Sequence, residues 1–465
     1  MRTQFLLFVV LNVQCLLYLY LQLLYKHSDE QKRNKTRRKR KRIADARLPY
    51  CFKRKRQQWS PFVMELGEKE FTTHHRISLR LFNKIHTKIK AYIGSDPRYS
   101  KKSCCRGDKA HVDSRSRLSM TLKFLTGSRM QDITRIHGVS RSTVVQAVRR
   151  TFHGIMQEFP LEPFPFDDHE KLQALADGFK RKSSGSLFTN CVGALDGYLL
   201  RIPKVCIGKN SGIPNPTKFY CRKNFYALNC QVACDAHRRV TSLSIKSPGA
   251  VPDLLAFLKG SLHANIQAGK LPAQFHFVGD NAYPESEQIL VPCTRHQLRR
   301  DVRGRLDNYN FYHSQMRINI ECCFGMLVNK FPILQTALPT TKLRRATEIF
   351  CVCCIFHNLC IDERLGNPRS DDLHFNPPMV GTRLRQVGRD QVGRDVLSED
   401  EDFERADLVN EFVADDFIAS EQCIGPQPHP NMLFDEENLS RKEKLINRIA
   451  TAGYIRPYRS STVDQ

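Results

Sequence analysis

The chain has 465 residues, 41% of them hydrophobic, so it is long enough for two or three domains with an ample buried core. Its 73 Lys and Arg outnumber 47 Asp and Glu, and the net charge of +26 favours a polyanionic partner, nucleic acid before an anionic membrane. Its 17 cysteines include adjacent pairs such as Cys322 and Cys323, which argues against a disulfide framework. We therefore expect reduced thiols in the nucleus or cytoplasm.

The chain begins with an apolar segment, residues 1–25. From Phe5 to Tyr25 it has no charged residue and is long enough to span a bilayer. No small-residue cleavage site follows, which argues against a cleaved signal peptide. Membrane anchoring remains an alternative, with the rest of the chain on the cytoplasmic side. We favour the other interpretations, a buried helix or a segment wrongly included in the gene model.

A basic arm follows at residues 26–60. Its dense Lys and Arg runs, such as Arg37 to Arg42, predict disorder because like charges repel one another. Runs of this kind are typical of nuclear import signals and DNA-binding arms, although a solvated linker is the alternative. The sequence therefore favours a nuclear location.

Residues 71–160 have a helical periodicity and predict an all-α domain with a helix-turn-helix at residues 118–150. Gly127 and Gly138 would end its first two helices, and Ser140 would cap the third. A third helix of this kind enters the major groove of DNA, whereas an ordinary helical subdomain is the alternative. The third helix presents residue types that contact phosphates and bases: Arg141, Ser142, Thr143, Gln146, Arg149 and Arg150.

Three carboxylates lie on three separate predicted elements in the following α/β region. Asp196 follows an apolar run that predicts a strand, although an Asp-Gly pair is also typical of a tight turn. Asp280 ends a second such run, where a turn residue is again the alternative. Glu321 flanks the apolar stripe of a predicted helix, four residues after Arg317, so a surface ion pair is its alternative.

Taken together, these carboxylates predict a metal site. Two strand-end aspartates can lie side by side at one edge of a sheet, and a glutamate on a packed helix can reach the same point. Mg²⁺ and Mn²⁺ prefer such oxygen ligands, and two of these ions can promote phosphodiester cleavage. A second cluster, around His357 and Cys360, could suit zinc, but it also reads as one buried helix that could not easily surround a metal.

At these residues the chain resembles the PIF/Harbinger transposases and the nucleases derived from them. The motifs that carry the resemblance occur in the family's order: GALDG at 193–197, KNFYALNCQ at 223–231, VGDNAYP at 278–284, RINIECCFG at 317–325 and FHNL at 356–359. Residues 247–253 depart from the family's pattern, and Asp253 there is predicted to cap a short helix.

The composition of residues 365–465 predicts a mostly disordered acidic tail, with a short helix at Arg441–Ala450. The resemblance implies an RNase H-like mixed-sheet domain of the DDE superfamily at residues 167–362, preceded by the helix-turn-helix domain. It implies that Asp196, Asp280 and Glu321 are the catalytic, metal-binding triad, with Mg²⁺ or Mn²⁺ as cofactor. We expect Arg317 to hold DNA phosphates. The family also implies DNA as partner, with a Myb-like DNA-binding protein and a homo-oligomer as further expectations.

The sequence therefore predicts a metal-dependent DNA endonuclease of transposase origin. The alternative is a domesticated DNA-binding or adaptor protein that no longer cuts DNA.

Overall fold

A computed structural model describes residues 59–94, 112–208, 213, 215–301, 304–366 and 439–456. The apolar segment 1–25, nearly all of the basic arm 26–60 and most of the acidic tail 365–465 lie outside the described residues, so their predicted roles stay predictions. Within the described ranges, no helix is long and apolar enough to cross a membrane.

Five α-helices lie within the described residues between 59 and 158. They are α1 (Trp59–His75), α2 (Leu79–Ile93), α3 (Ser114–Leu125), α4 (Met130–Ile136) and α5 (Arg141–Glu158). Their apolar side chains, among them Phe82, Leu122 and Phe152, share one hydrophobic core with part of the α/β region. The helical and α/β regions therefore pack on each other.

Helices α3, α4 and α5 occupy the segment predicted to form a helix-turn-helix. Gly127 and Gly138 have positive φ values of 79° and 60°, which glycine adopts readily, and each follows the end of a helix. The Ser140 side chain caps α5 by accepting a hydrogen bond from the Thr143 backbone N–H at 3.2 Å.

A five-stranded mixed sheet forms the centre of the remaining chain. Its strands are β1 (Cys191–Arg201), β2 (Ala227–Cys234), β3 (Val240–Pro248), β4 (His276–Val278) and β5 (Ile289–Leu290), in the order β3-β2-β1-β4-β5. The β1–β2 and β2–β3 pairs are antiparallel, whereas β4 is parallel to both β1 and β5. Every residue of β2 is buried, as is typical of a strand covered on both faces.

Helices cover the two faces of this sheet and extend beyond it. They are α6 (His169–Lys182), α7 (Asp253–Leu258), α8 (Ser261–Gln267), α9 (Arg295–Arg300), α10 (Arg305–Lys330) and α11 (Leu343–Gly366). Met316, Ile320 and Cys323 of α10 belong to the core on one face. Phe257 of α7 and Leu262 of α8 belong to a second core on the other.

A last helix, α12 (Arg441–Thr451), packs on α10. It begins with a capping box between Ser440 and Glu443, and it buries Leu445, Ile446 and Ile449. The end of the segment predicted to be a mostly disordered tail thus contains an ordered helix.

Candidate active site

Asp196 lies in the middle of β1. The strand continues without a turn from Cys191 to Arg201, and Asp196 is paired with Val232 of β2. The structure therefore differs from the expected strand end and excludes the alternative of a tight Asp-Gly turn. Local sequence favours a turn at this pair, but the long ladder with β2 holds the backbone extended.

Asp280 lies two residues beyond the end of β4, and the last residue of that strand, Val278, pairs with Ala194 of β1. The charge of Asp280 acts on Asp196, so the two carboxylates lie near each other at this end of β4. The Asp280 carboxylate accepts a hydrogen bond from the Ala282 backbone N–H at 2.9 Å, which orients the short loop after the strand.

The pKa of Asp196 is shifted by its burial and by the charged groups around it. The pKa of its carboxyl is raised from 3.8 to about 6, mainly by burial and also by the negative charges of Asp280 and Asp253. A hydrogen bond of 2.8 Å from the Gly197 backbone N–H and the charge of Arg317 oppose this rise. The surroundings of Asp196 therefore disfavour its charged form, which a cation at this point would stabilise.

Glu321 lies on α10, one turn after Arg317, and its carboxylate forms an ion pair with the Arg317 guanidinium. The two side chains are 38% and 27% exposed. The surface ion pair weighed from the sequence is therefore present. The charge of Arg317 also acts on Asp196, so this guanidinium lies near both the strand aspartate and the helix glutamate.

The three carboxylates do not form a closed metal cage. Among the described residues, no three His, Cys, Asp or Glu side chains lie close enough together to hold a metal ion. The Asp196 and Asp280 pair still fits Mg²⁺, since this ion is usually held by one or two carboxylates together with waters and substrate phosphates. The excess negative charge at Asp196 points the same way.

Gly197 lies in an extended strand, and glycine is needed there because a side chain would have no room. It faces the opposite side of β1 from Asp196, and a Cβ at this position would overlap the Asp253 carboxylate and lie 3.0 Å from Gln231 Nε2. Asp253 does not cap α7 as predicted, because the helix has Pro252 at its N-cap and no side-chain cap. Its carboxylate instead packs against the Gly197 backbone of β1.

Side-chain amides hold Asp253 in that position. Asn229 Nδ2 and Gln231 Nε2 of β2 donate to Asp253 Oδ1 at 2.9 and 3.2 Å. The buried Tyr283 hydroxyl donates to Gln231 Oε1 at 2.7 Å, which links this network to the loop that carries Asp280. Sequence reasoning missed Gln231 and Tyr283 as members of this network, although both lie in the motifs at 223–231 and 278–284.

The predicted DNA-contacting residues of α5 differ in their surroundings. Arg141, Ser142 and Gln146 are exposed near the start of the helix. The Thr143 hydroxyl lies 2.8 Å from Ser140 Oγ, as part of the cap. The sequence pattern could not distinguish these positions from those nearer the core.

Two arginines further along α5 have protein neighbours. Arg150 Nη1 donates to the Gly94 carbonyl at 3.3 Å. Burial and the nearby charge of Arg345 lower the pKa of Arg149, so this guanidinium faces α11. Both arginines are nevertheless exposed, like Arg141, Ser142 and Gln146 at the start of α5.

The cysteines and His357 near the end of the α/β region do not form a zinc site in the described part of the chain. They lie along α11, where Cys353, Cys354 and Cys360 are buried and free. The His357 ring donates from Nε2 to the Arg238 carbonyl at 2.8 Å. This outcome agrees with the interpretation of the segment as one buried helix.

The segment that holds the three carboxylates matches a known family. The family model described as DDE superfamily endonuclease covers residues 195–358. Residues 195–358 are therefore similar to DDE superfamily endonucleases. The matched segment runs from β1 to α11 and includes Asp196, Asp280 and Glu321, whereas α1 to α5 precede it.

Similar proteins belong to the same group. A human protein named "Putative nuclease HARBI1" is 23% identical over 230 residues, which cover 48% of this chain and 60% of that protein. The bovine protein of the same name is 21% identical over the same shares. The Arabidopsis thaliana "Protein ALP1-like" is 22% identical over 307 residues, 63% of this chain and 71% of that protein.

These matches confirm the resemblance to the Harbinger-derived nucleases. The chain spans about 60% of the length of the HARBI1 relatives cited. No solved structure matches the chain with significant similarity.

Proposed function

We propose that this protein is a metal-dependent DNA endonuclease of transposase origin, with Asp196, Asp280 and Glu321 as its catalytic carboxylates. The observation that supports the proposal is the electrostatic effect of Asp280 on Asp196, together with the parallel pairing of β1 and β4 near these two residues. The strand order, with one strand antiparallel to the other four, supports an RNase H-like domain at residues 167–362.

The residues present have distinct roles in this proposal. Asp196 and Asp280 would hold the divalent ions, Mg²⁺ or Mn²⁺, which supply water activation and charge neutralisation when bound. Glu321 would turn from Arg317 toward the same point when DNA enters. Arg317 would then be released to hold a phosphate with its planar guanidinium.

The helices before the domain would bind DNA. Helices α4 and α5, joined by a Gly138 turn, have the order of a helix-turn-helix, and the exposed Arg141, Ser142 and Gln146 support groove contacts. Thr143, Arg149 and Arg150 would contribute less because they have contacts within the protein. A nuclear location and a Myb-like DNA-binding partner remain parts of this proposal.

The proposal is tested by nicking of supercoiled plasmid with the full chain, in Mg²⁺, in Mn²⁺ and in EDTA. We expect cleavage with either metal, none in EDTA, and a loss of about 100-fold or more in Asp280→Asn. Asp177→Asn is the matched control, because Asp177 lies on α6 and pairs with Gln173. Metal-dependent cleavage by Asp280→Asn at the wild-type rate would refute the assignment.

A non-cutting DNA-binding protein is the second candidate. The ion pair between Arg317 and Glu321 favours it, since this contact occupies the carboxylate that the nuclease needs. In that case Arg141→Ala with Gln146→Ala would abolish DNA binding, and no metal would produce nicking by the wild-type protein.

A further inference from the structure

The connection between β1 and β2 carries exposed cationic and aromatic side chains at Lys218, Tyr220, Arg222 and Lys223, here called the 218–223 strip. Tyr220 is 47% exposed, which is unusual for so large an aromatic residue. The intervening Phe219 is only 4% exposed and anchors the strip to the core. The exposed side chains of the strip therefore face solvent, while buried Phe219 fixes the segment to the core.

The strip has a defined backbone. The Cys221 N–H donates to the Phe225 carbonyl at 2.9 Å, and the Asn224 N–H donates to the Cys221 carbonyl at 3.0 Å, which closes a tight hairpin. Tyr220 forms a bridge with Tyr226, and the two rings meet edge to face with centroids 5.2 Å apart. A ring held in this way loses little conformational entropy when it binds a partner.

The strip contacts Asp253. Arg222 Nη2 is 3.8 Å from Asp253 Oδ2, and Asp253 lies against Gly197, on the face of β1 opposite to Asp196. The Ala250 backbone N–H donates to the Lys218 carbonyl at 2.9 Å, so the other end of the strip runs beside the same loop. The charges of Asp253 and Asp196 interact, so the strip is linked through Asp253 to the strand that carries the first carboxylate.

We propose that the 218–223 strip binds unpaired nucleotides of DNA beside the bond to be cut, with the Tyr220 ring stacked on a base and the flanking cations on phosphates. Aromatic rings between basic residues are the features that bind single-stranded nucleic acid, because every base presents a π-face. Paired bases hide that face within the duplex, so the strip selects DNA with unpaired bases. This inference rests on the proposed nuclease function.

Fluorescence anisotropy in EDTA tests it without cleavage. The full chain is titrated into a labelled blunt duplex and into the same duplex with a short single-stranded extension. We expect wild type to prefer the extended DNA, and Tyr220→Leu to lose that preference by about 5- to 100-fold. Tyr220→Phe keeps the ring and should keep the preference, and equal thermal unfolding of the variants shows that the fold is intact.

Charge is tested separately through salt dependence. Each phosphate contact contributes about 0.7 to the slope of log affinity against log salt for single strands, so Lys218→Ala with Lys223→Ala should lower the slope by about 1.4. Lys270→Ala is the control, since Lys270 is exposed in the loop that precedes β4, whereas Asp280 follows the other end of that strand. That variant should match wild type on the extended DNA.

Three results would overturn the inference. An unchanged preference in Tyr220→Leu, or equal affinity of wild type for both DNAs, would refute the binding of unpaired nucleotides by the 218–223 strip. Either result would leave the nuclease proposal standing. Wild type that binds neither DNA would refute the proposed function together with the strip.

Discussion

Asp280, in the loop after β4, lies close enough to Asp196 of β1 for its charge to act on the Asp196 carboxyl. The charge of Asp280 contributes to the raised pKa of Asp196, and both residues lie where β1 extends past the end of β4. A cation placed between them would relieve this repulsion. The predictions below follow from this relationship and from the contacts that surround it.

The raised pKa of Asp196 predicts that metal-free protein loses stability as the pH rises. The folded state binds its proton up to about pH 6, whereas an unfolded aspartate releases it near 3.8. Stability should therefore fall between pH 4 and pH 6, by about 3 kcal/mol from this group. Urea unfolding in EDTA across this range measures the loss.

Asp196→Asn provides the comparison for that measurement. At pH 7.5 this variant should be more stable than wild type, and the difference should vanish near pH 4. Mg²⁺ should reduce the difference because it stabilises only the carboxylate form. Identical pH profiles for wild type and Asp196→Asn would show that the carboxyl is not perturbed.

Substitution of Glu321 distinguishes a catalytic role of this residue from a merely structural one. Its ion pair with Arg317 is partly exposed, so Glu321→Gln should change the free energy of unfolding by less than about 1 kcal/mol. Plasmid nicking should nevertheless fall by about 100-fold. The control Glu348→Gln breaks similar ion pairs, with Arg344 and Arg345, and should leave the nicking rate intact. Nicking by Glu321→Gln at the wild-type rate would remove Glu321 from the proposed triad.

Gly197→Ala should be destabilising even though the backbone of β1 is extended. Its Cβ would overlap the Asp253 carboxylate, and such overpacking costs about 1–3 kcal/mol. Gly325→Ala is the control, because a Cβ there meets no atom within 4 Å and alanine favours the helix by about 0.5–1 kcal/mol. Thermal unfolding compares the two, and equal melting temperatures would contradict the close contact.

The sequence predicted some of these features and not others, for physical reasons. The Ser140 cap and the glycines near helix ends are local signals, and the structure places helices where they indicate. The middle-of-strand position of Asp196 depends on the ladder with β2, which no local pattern encodes. The same limit applies to Asp253, whose carboxylate binds amides of β2 instead of capping its own helix.

Helix α12 should stabilise the loop that carries Asp280. Lys442 Nζ lies 2.9 Å from Glu285 Oε2, and the Arg441 N–H donates to Glu287 at 3.1 Å. Ile449 is fully buried, so Ile449→Ala should cost about 2–5 kcal/mol in the docking of α12.

Hydrogen exchange checks this prediction. Amides of residues 282–290 should exchange faster in Ile449→Ala, because the loop loses its contacts when α12 undocks. The exposed neighbour Lys444→Ala serves as the control and should leave exchange unchanged. Unaltered protection of the loop in Ile449→Ala would mean that α12 does not support it.

The most direct test of the account is the rate of plasmid nicking in Mg²⁺ by Asp196→Asn, by Asp280→Asn and by the double variant. If the two carboxylates hold the same ions, each single change should lower the rate by about 100-fold or more, and the double variant should be no slower than either single variant. Multiplicative losses in the double variant, or a wild-type rate in either single variant, would contradict a shared site.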